Sequence, residues 1–410
     1  MSLHLNQEAE SLEVLAEPRS AYEFVETPAQ LIAAIADLDN GTGSLAVDAE
    51  RASGFKYSQR AYLVQLHRRG SKIYLVDPIA FQAEELKPLA DFTKNQEWIL
   101  HAATQDLACL AELGLQPRSL FDTELISRLM GFERVGLGAV CELALNMKLA
   151  KEHSAADWST RPLPESWLNY AALDVDVLPD LQDFLKAEIV AQDKTEIVAE
   201  EMQHLLGFMP KAPKADRWRG MSNFHELKDT RQVAIAKSLW EAREQLAQKL
   251  DVSPGRLVPD RSLVHAAKMQ LKSKSQLAND KNFNGRASRT YLDIWWNALE
   301  SGLNTRDLPP LRAQSTGMPN HRNWPGKFPE AESRLQAAKP VIADVSETMK
   351  IPAENLLTPD YLRQVCFEPK SLEAEGIAAQ LRDCGAREWQ ISLLAEAISW
   401  AWKTREVTSS

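Results

Sequence analysis

The chain has 410 residues, 44 % of them hydrophobic, and a formal net charge of −10; that length calls for two or three domains rather than one, and the average charge by itself argues against a nucleic-acid partner. The average hides an asymmetry. Residues 211–328 carry 21 Lys/Arg against 11 Asp/Glu, a net of +10, while the remainder carries 26 against 46, a net of −20, and an acidic body with a basic middle suits a partner that touches two surfaces for two reasons.

The opening stretch, "MSLHLNQEAESLEVLAEP", is acidic and lacks a long apolar run. It does not read as a signal peptide, and residues 1–20 are expected to form an N-terminal extension. Next, "GSLAVDAE" (43–50) has the pattern of a strand. "AYLVQLHRRG" (61–70) and "KIYLVDPIA" (72–80) read as two further strands joined at Arg69–Gly70, a spacing that suits an antiparallel hairpin. "EWILHAA" (97–103) reads as a fourth, buried strand, and "TQDLACLAELG" (104–114) as a helix stopping at Gly114. "SLFDTELISRLMG" (119–131) contains a fifth strand running into a helix. Mixed strands alternating with helices imply an α/β layer structure, in which sites form at the strand ends.

From about residue 135 the pattern is helical. "APKADRWRG" (212–220) is the expected first linker, followed by the long amphipathic helix "TRQVAIAKSLWEAREQLAQKL" (230–250). The Pro-, Gly- and Asn-rich stretch 304–329 reads as a second linker, and 330–405 as another helical unit. The two helical units look duplicated: "KLDVSPGRLVPDRSL" (249–263) resembles "TMKIPAENLLTPDYL" (348–362), each with a helix end, a Pro-containing turn and Pro-Asp before the next helix. Cys109, Cys141, Cys366 and Cys384 form no CxxC pair, so neither a zinc knuckle nor a redox dithiol is indicated, and they fit free thiols in a reducing cytosol. No run of about 18 apolar residues is present, so no membrane span is expected.

Asp48 and Glu50 stand at i and i+2 of a strand, so both side chains project from one face. Two anions that close either share a proton or bind a cation, and hard oxygen ligands suit magnesium or manganese. Asp106 lies just past the "EWILHAA" strand, again at a sheet end. In "PESWLNYAALDVDVLPDL", Tyr170 and Asp174 are one turn apart on one helix face, whereas Asp176 falls on another face and is not expected to join them.

These residues, Asp48 and Glu50, then Asp106, then Tyr170 with Asp174, match in order, spacing and context the DEDD superfamily of 3′–5′ exonucleases in its tyrosine-type branch. Gln105 stands where many members carry an aromatic residue. Within the branch the chain resembles bacterial ribonuclease D, through "DWSTRPLPESWLNYAALDV", "VDPIA" and "FDTELISRLMG". The resemblance covers about residues 20–405. It implies a ribonuclease H-like α/β exonuclease domain over 21–208, with a mixed five-stranded sheet flanked by helices. Two all-α HRDC domains would follow, the first at 209–302 and the second at 330–405, separated by a linker at 303–329.

What the resemblance further implies is two-metal phosphodiester hydrolysis. Two divalent ions, Mg²⁺ or Mn²⁺, would be held by Asp48, Glu50, Asp106 and Asp174. Asp48 bridges both, Glu50 and Asp174 complete one shell, Asp106 holds the second ion, and Tyr170 orients the attacking water. No histidine base is needed; His101 reads as a structural residue at a strand end, and His153 is near in sequence but belongs to no motif. Lys268, Lys272, Lys274, Lys281, Arg286 and Arg289 are candidate contacts to an RNA backbone. Trp295 and Trp296 are read as core, ahead of a stacking role on a single strand. The expected substrate is RNA with a single-stranded 3′ end, transfer RNA precursors foremost, and the expected product nucleoside 5′-monophosphates. The chain is expected to be a cytoplasmic monomer with no small-molecule cofactor and no membrane partner. A DNA-directed exonuclease and a catalytically inactive RNA-binding protein are the rival readings.

Overall fold

The computed structural model describes residues 12–150, 156–210, 212–312 and 317–409; His153 and the first eleven residues lie outside them. The strands are β1 (Glu13–Leu15), β2 (Tyr22–Val25), β3 (Thr42–Arg51), β4 (Ala61–Arg69), β5 (Ile73–Val76), β6 (Glu97–Leu100), β7 (Ser119–Asp122) and β8 (Met147–Leu149). Six of them form one sheet in the order β2-β5-β4-β3-β6-β7. β4 runs antiparallel to both β3 and β5, and the other pairs are parallel. The β4–β5 hairpin turns through Gly70 at φ 89, a left-handed conformation that glycine adopts without a Cβ clash.

The sheet has one strand more than the five expected. The extra strand, β2, is only "YEFV", with Val25 alone fully buried. Four residues at a sheet edge carry too little alternation to stand out in sequence. The N-terminal extension also contributes structure. Its residues 13–15 pair in parallel with β8 as a separate two-stranded sheet, and Arg19 binds the buried carboxylate of Asp176 through both its backbone N–H and its Nε at 2.9 Å. Asp176 therefore serves packing, as its helix face implies.

β3 lies inside the sheet, and Leu45, Ala46 and Val47 are all but inaccessible. The helix Glu165–Asp176 packs across β3, β4 and β5. Its approach is set by Arg161, whose guanidinium makes two 2.7 Å bonds to Asp77 just past β5 and reaches the carbonyls of Tyr62, Trp158 and Thr160. Trp158, fully buried, packs at a tilt against the helix's aromatic rings, 5.3 Å from Trp167 and 6.5 Å from Tyr170.

The two helical units repeat one backbone path. Helices Thr230–Leu250 and Pro329–Met349 both end at a left-handed residue, Asp251 (φ 47) and Lys350 (φ 53). Four-residue helices follow at Pro254–Leu257 and Ala353–Leu356, then an extended residue, then helices Asp260–Met269 and Pro359–Phe367. Their packing differs. The middle unit has a core of its own around Trp218, Leu239, Leu263 and Trp295, whereas the C-terminal unit shares one continuous core with the α/β domain. Trp295 is fully buried, with its indole N–H on the Ala287 carbonyl, and Trp296 packs against the same core.

The stretch expected as the second linker is in part packed structure. Trp324 is fully buried, its ring 5.4 Å from Phe367, and Phe328 lies 5.1 Å from the same ring. Its Pro- and Gly-rich composition masks these two aromatic anchors. The C-terminal unit is fastened to helix Thr195–Leu206 by Arg387, which grips Glu201 with bonds of 2.6 and 3.0 Å, while the Trp389 indole N–H adds 2.8 Å to the same carboxylate. Removing one partner of so buried an ion pair strands the other. Arg387→Ala should cost about 3–5 kcal/mol, read as a lower urea midpoint and as faster proteolytic release of the C-terminal unit; an unchanged midpoint would show that the apolar contacts alone hold the two together.

Candidate active site

The end of β3 and the helix Glu165–Asp176 meet at one cleft, lined by Asp48, Glu50, Arg51, Ser53, His101, Gln105, Asp106, Tyr170 and Asp174. Its volume of about 330 Å³ equals on the order of ten water molecules, enough for hydrated ions beside a phosphate. Asp48 and Glu50 reach it because period-2 alternation sends both to one face of β3, and the same alternation buries Val47 opposite. Asp174 arrives from the helix. Each of these three offers a carboxylate oxygen, and the three oxygens lie within 4.8 Å of one another.

Asp106 enters from a third direction. Past β6 the chain turns through Ala102, held left-handed at φ 61, and a single 3-10 turn delivers Asp106 at the start of helix Leu107–Glu112. Asp122 holds this turn. Its Oδ2 accepts from the Ala103 N–H (2.8 Å), and its Oδ1 accepts from the Ala102 N–H (3.1 Å) and, as the cap of the next helix, from the N–H groups of Glu124 and Leu125. An Asp before a helix in "FDTEL" signals the cap; its second task of bracing the Asp106 turn had no signal in the sequence. His101 bonds the Thr123 hydroxyl at 2.9 Å, and burial pushes its pKa down to about 4, so it is a neutral structural residue that also lines the cleft.

The carboxyl groups face the cleft but are otherwise walled in by protein, and this shapes their charge. Burial raises Asp48 to about 6, against the nearby charge of Arg51. Burial, then the field of Asp48, raises Asp106 to about 8. Glu50 and Asp174 are also raised by burial, with Asp48 next in each case. The Tyr170 hydroxyl hydrogen-bonds the Asp174 carboxylate, and burial with three acids nearby holds the phenol firmly protonated. Hard carboxylate oxygens from separate elements, each costly to ionise alone, form a donor set that fits divalent cations.

The loop leaving this cleft is clamped from the middle helical unit. Asp251 accepts from the Ser58 N–H at 2.8 Å and from the Tyr62 hydroxyl at 3.3 Å. Arg256 bonds the Gly54 carbonyl at 2.7 Å and lies 3.9 Å over the Phe55 ring. None of the six basic residues proposed from sequence to touch RNA lines the cleft. All sit exposed on the middle unit, where Lys268 is paired with Glu226 at 2.9 Å and Lys274 with Asp293.

Comparison with known proteins fits this geometry. The family described as 3′-5′ exonuclease matches residues 22–190, the HRDC domain family residues 232–299, and the family described as 3′ to 5′ exonuclease C-terminal domain residues 317–402. Ribonuclease D of Bartonella henselae is 28 % identical over 258 residues, 61 % of this chain and 62 % of its own length. Ribonuclease D of Escherichia coli K12 is 25 % identical over 394 residues, covering 92 % of this chain and 97 % of the relative.

The chain carries a 3′-5′ exonuclease domain and resembles ribonuclease D over most of its length.

A crystal structure of a protein from Bifidobacterium adolescentis shares the fold at a TM-score of 0.88 and 35 % identity, covering 95 % of this chain and 99 % of that one. The crystal structure of E. coli RNase D aligns at 0.63 and 24 % identity over 93 % of this chain. The C-terminal unit, expected as a second HRDC domain, matches a different family description from the first, although its backbone repeats the HRDC path.

The raised carboxyl groups of the cleft set a pH dependence. Unfolded carboxyls titrate near 4, while Asp48 and Asp106 in the fold stand at about 6 and about 8. Between those values the folded chain binds more protons than the unfolded chain, so its metal-free stability falls as pH rises through the window. Divalent ions need the ionised carboxylates and compete with those protons. The rise in Tm on replacing EDTA by Mg²⁺ should therefore be larger at pH 8 than at pH 6; an equal rise at both would show that these acids do not hold the ion.

Proposed function

We propose that this chain is a metal-dependent 3′–5′ exoribonuclease. It removes nucleoside 5′-monophosphates one at a time from RNA with a single-stranded 3′ end, with structured RNA and transfer RNA precursors as the substrate class. The observation that carries the reading is the meeting of Asp48, Glu50 and Asp174 within 4.8 Å in a chain that carries a 3′-5′ exonuclease domain. The matched stretch of the first curated relative spans 62 % of that protein. The E. coli structure that shares the fold is described as an exoribonuclease involved in structured RNA processing, which supports the same substrate class here.

Asp48, Glu50, Asp174 and Asp106 would hold two divalent ions, Mg²⁺ or Mn²⁺. When bound, such ions neutralise the clustered acids, lower the pKa of water and offset charge on the attacking and leaving oxygens. The rest falls to the chain. Tyr170, with its hydroxyl on Asp174, is placed to orient the attacking water. The oxygen of that water bonds to phosphorus as the P–O3′ bond to the penultimate ribose breaks. The leaving oxygen takes up a proton, the water gives one up, and the products are a nucleoside 5′-monophosphate and an RNA one residue shorter with a free 3′ hydroxyl. The sheet and the Arg161-tethered helix keep the acids in register, as such sites require.

Substrate grip is assigned to the basic face of the middle unit. Lys272, Lys281, Arg286 and Arg289 are exposed and form no ion pair among the described residues, unlike Lys268 and Lys274. They are the stronger candidates for phosphate contacts. The reading places the protein in the cytoplasm as a monomer; among the described residues no helix is long and apolar enough to cross a membrane.

Two experiments test this. RNA labelled at either end is incubated with Mg²⁺, Mn²⁺ or EDTA, beside a matched DNA. Wild type should shorten the RNA from its 3′ end only with metal, and Asp48→Asn should reduce the rate by at least about 10³, since one of the carboxylates that would hold the ions is lost. Equal or faster trimming of DNA would favour the DNA-directed reading, and no trimming at all the binding-protein reading. Charge reversal of Lys272, Lys281, Arg286 and Arg289 to Glu should weaken RNA binding and flatten its salt dependence by about 0.7 for each phosphate no longer neutralised; an unchanged slope would move the RNA surface elsewhere.

A further inference from the structure

Arg51 follows Glu50 directly, so strict alternation in β3 would send its side chain to the opposite face. The structure shows otherwise. Glu50 pairs with Leu63 while Arg51 pairs with Ala61, so the register slips at this step and Tyr62 is left over on β4. Such an irregularity increases local twist and re-aims a side chain. Glu50 and Arg51 consequently line the same cleft. The loop beyond is fixed by Asp251 and Arg256 of the middle unit, so the place where Arg51 emerges is fixed as well.

Among the residues that line the cleft, Arg51 alone carries positive charge, because His101 is neutral. Its Nη2 stands 3.7 Å from Asp106 Oδ1 and its side chain is 26 % exposed. It accepts a place beside four acids, yet among the described residues its guanidinium makes no hydrogen bond. The structural arginines of this fold behave differently. Arg161 and Arg387 each fill their forks with carboxylate and carbonyl oxygens. Arg51 thus holds a planar fork of N–H donors free within a cleft read as a phosphodiesterase site.

We infer that Arg51 is a substrate-binding residue, whose guanidinium contacts the non-bridging oxygens of the RNA phosphate at or next to the bond being cut. In the metal-free state it lies against Asp106 as a counter-charge. When divalent cations load the acids, that attraction is replaced by repulsion, and the guanidinium turns to the anion that enters the cleft. Bidentate Arg–phosphate pairing is strong and geometrically selective, and a cation fixed where charge gathers on phosphate oxygens stabilises the transition state more than the ground state. This rests on the exoribonuclease reading of the same cleft.

The test uses the full chain at saturating Mg²⁺ and a short single-stranded RNA. Arg51→Gln should lower kcat/KM on the order of 10², and Arg51→Lys, which keeps the charge without the fork, by roughly tenfold. The slope of log kcat/KM against log salt should become shallower by about 0.7 in Arg51→Gln, the signature of one phosphate contact on a single strand. Calorimetric titration with Mn²⁺ should show binding to Arg51→Gln as tight as, or tighter than, to wild type, because a repelling cation is gone. Wild-type kcat/KM and salt slope in both variants would overturn the inference and leave Arg51 a counter-charge for the empty acids. So would Mn²⁺ binding to Arg51→Gln weakened tenfold or more, which would make it a support of the metal site. If wild type itself trims no RNA with metal present, the exoribonuclease reading fails first, and the two failures are told apart.

Discussion

The constraint on which this structure turns is the mutual repulsion of carboxyl groups held where water is scarce. Asp48, Glu50 and Asp174 bring oxygens within 4.8 Å of one another, and burial shifts every one of them toward the protonated form. Side chains on mobile loops would separate. Here they cannot, because Asp48 and Glu50 belong to an interior strand of a six-stranded sheet and Asp174 to a helix packed flat across it. Rigid elements keep the repulsion stored in the absence of metal, and that stored cost favours a divalent ion when one arrives.

Much of the remaining architecture serves to hold those elements still. Arg161 joins the segment before the helix to Asp77 and the edge of β4. Arg19 closes the helix's far end through Asp176. Asp122 braces the turn that carries Asp106. Each is a buried or half-buried polar group with its hydrogen bonds satisfied, so each specifies orientation as well as adding stability. The fold thus places polar anchors around a cluster of acids that has one nearby cation in its cleft, Arg51, 3.7 Å from Asp106.

The two helical units show one backbone path put to two uses. In the middle unit, the left-handed Asp251 that ends the first helix turns its carboxylate to the loop beside the cleft. In the C-terminal unit, the equivalent residue is Lys350, and Gly131 of the α/β domain approaches its carbonyl so closely that a Cβ there would stand 2.7 Å away. One copy stabilises a loop of the site while keeping a separate core; the other is fused into the core of the α/β domain. The local path is common to both, and the surface residues decide what each copy docks against.

The candidate acids, the elements that carry them and the resemblance to ribonuclease D were all legible in the amino-acid sequence. Two-residue alternation puts Asp48 and Glu50 on one face, four-residue helical spacing puts Tyr170 beside Asp174, and both follow from backbone geometry that needs no tertiary partner. The repeated Pro-Asp segments were legible for the same reason. Tertiary structure alone decided the rest. β2 is too short to announce itself and exists because β5 offers an edge. The packed part of the supposed linker is fixed by Phe367, some forty residues from Trp324. Above all, Arg51 lines the cleft at the point where the β3–β4 register slips, and no periodicity within β3 can record a slip against its neighbour.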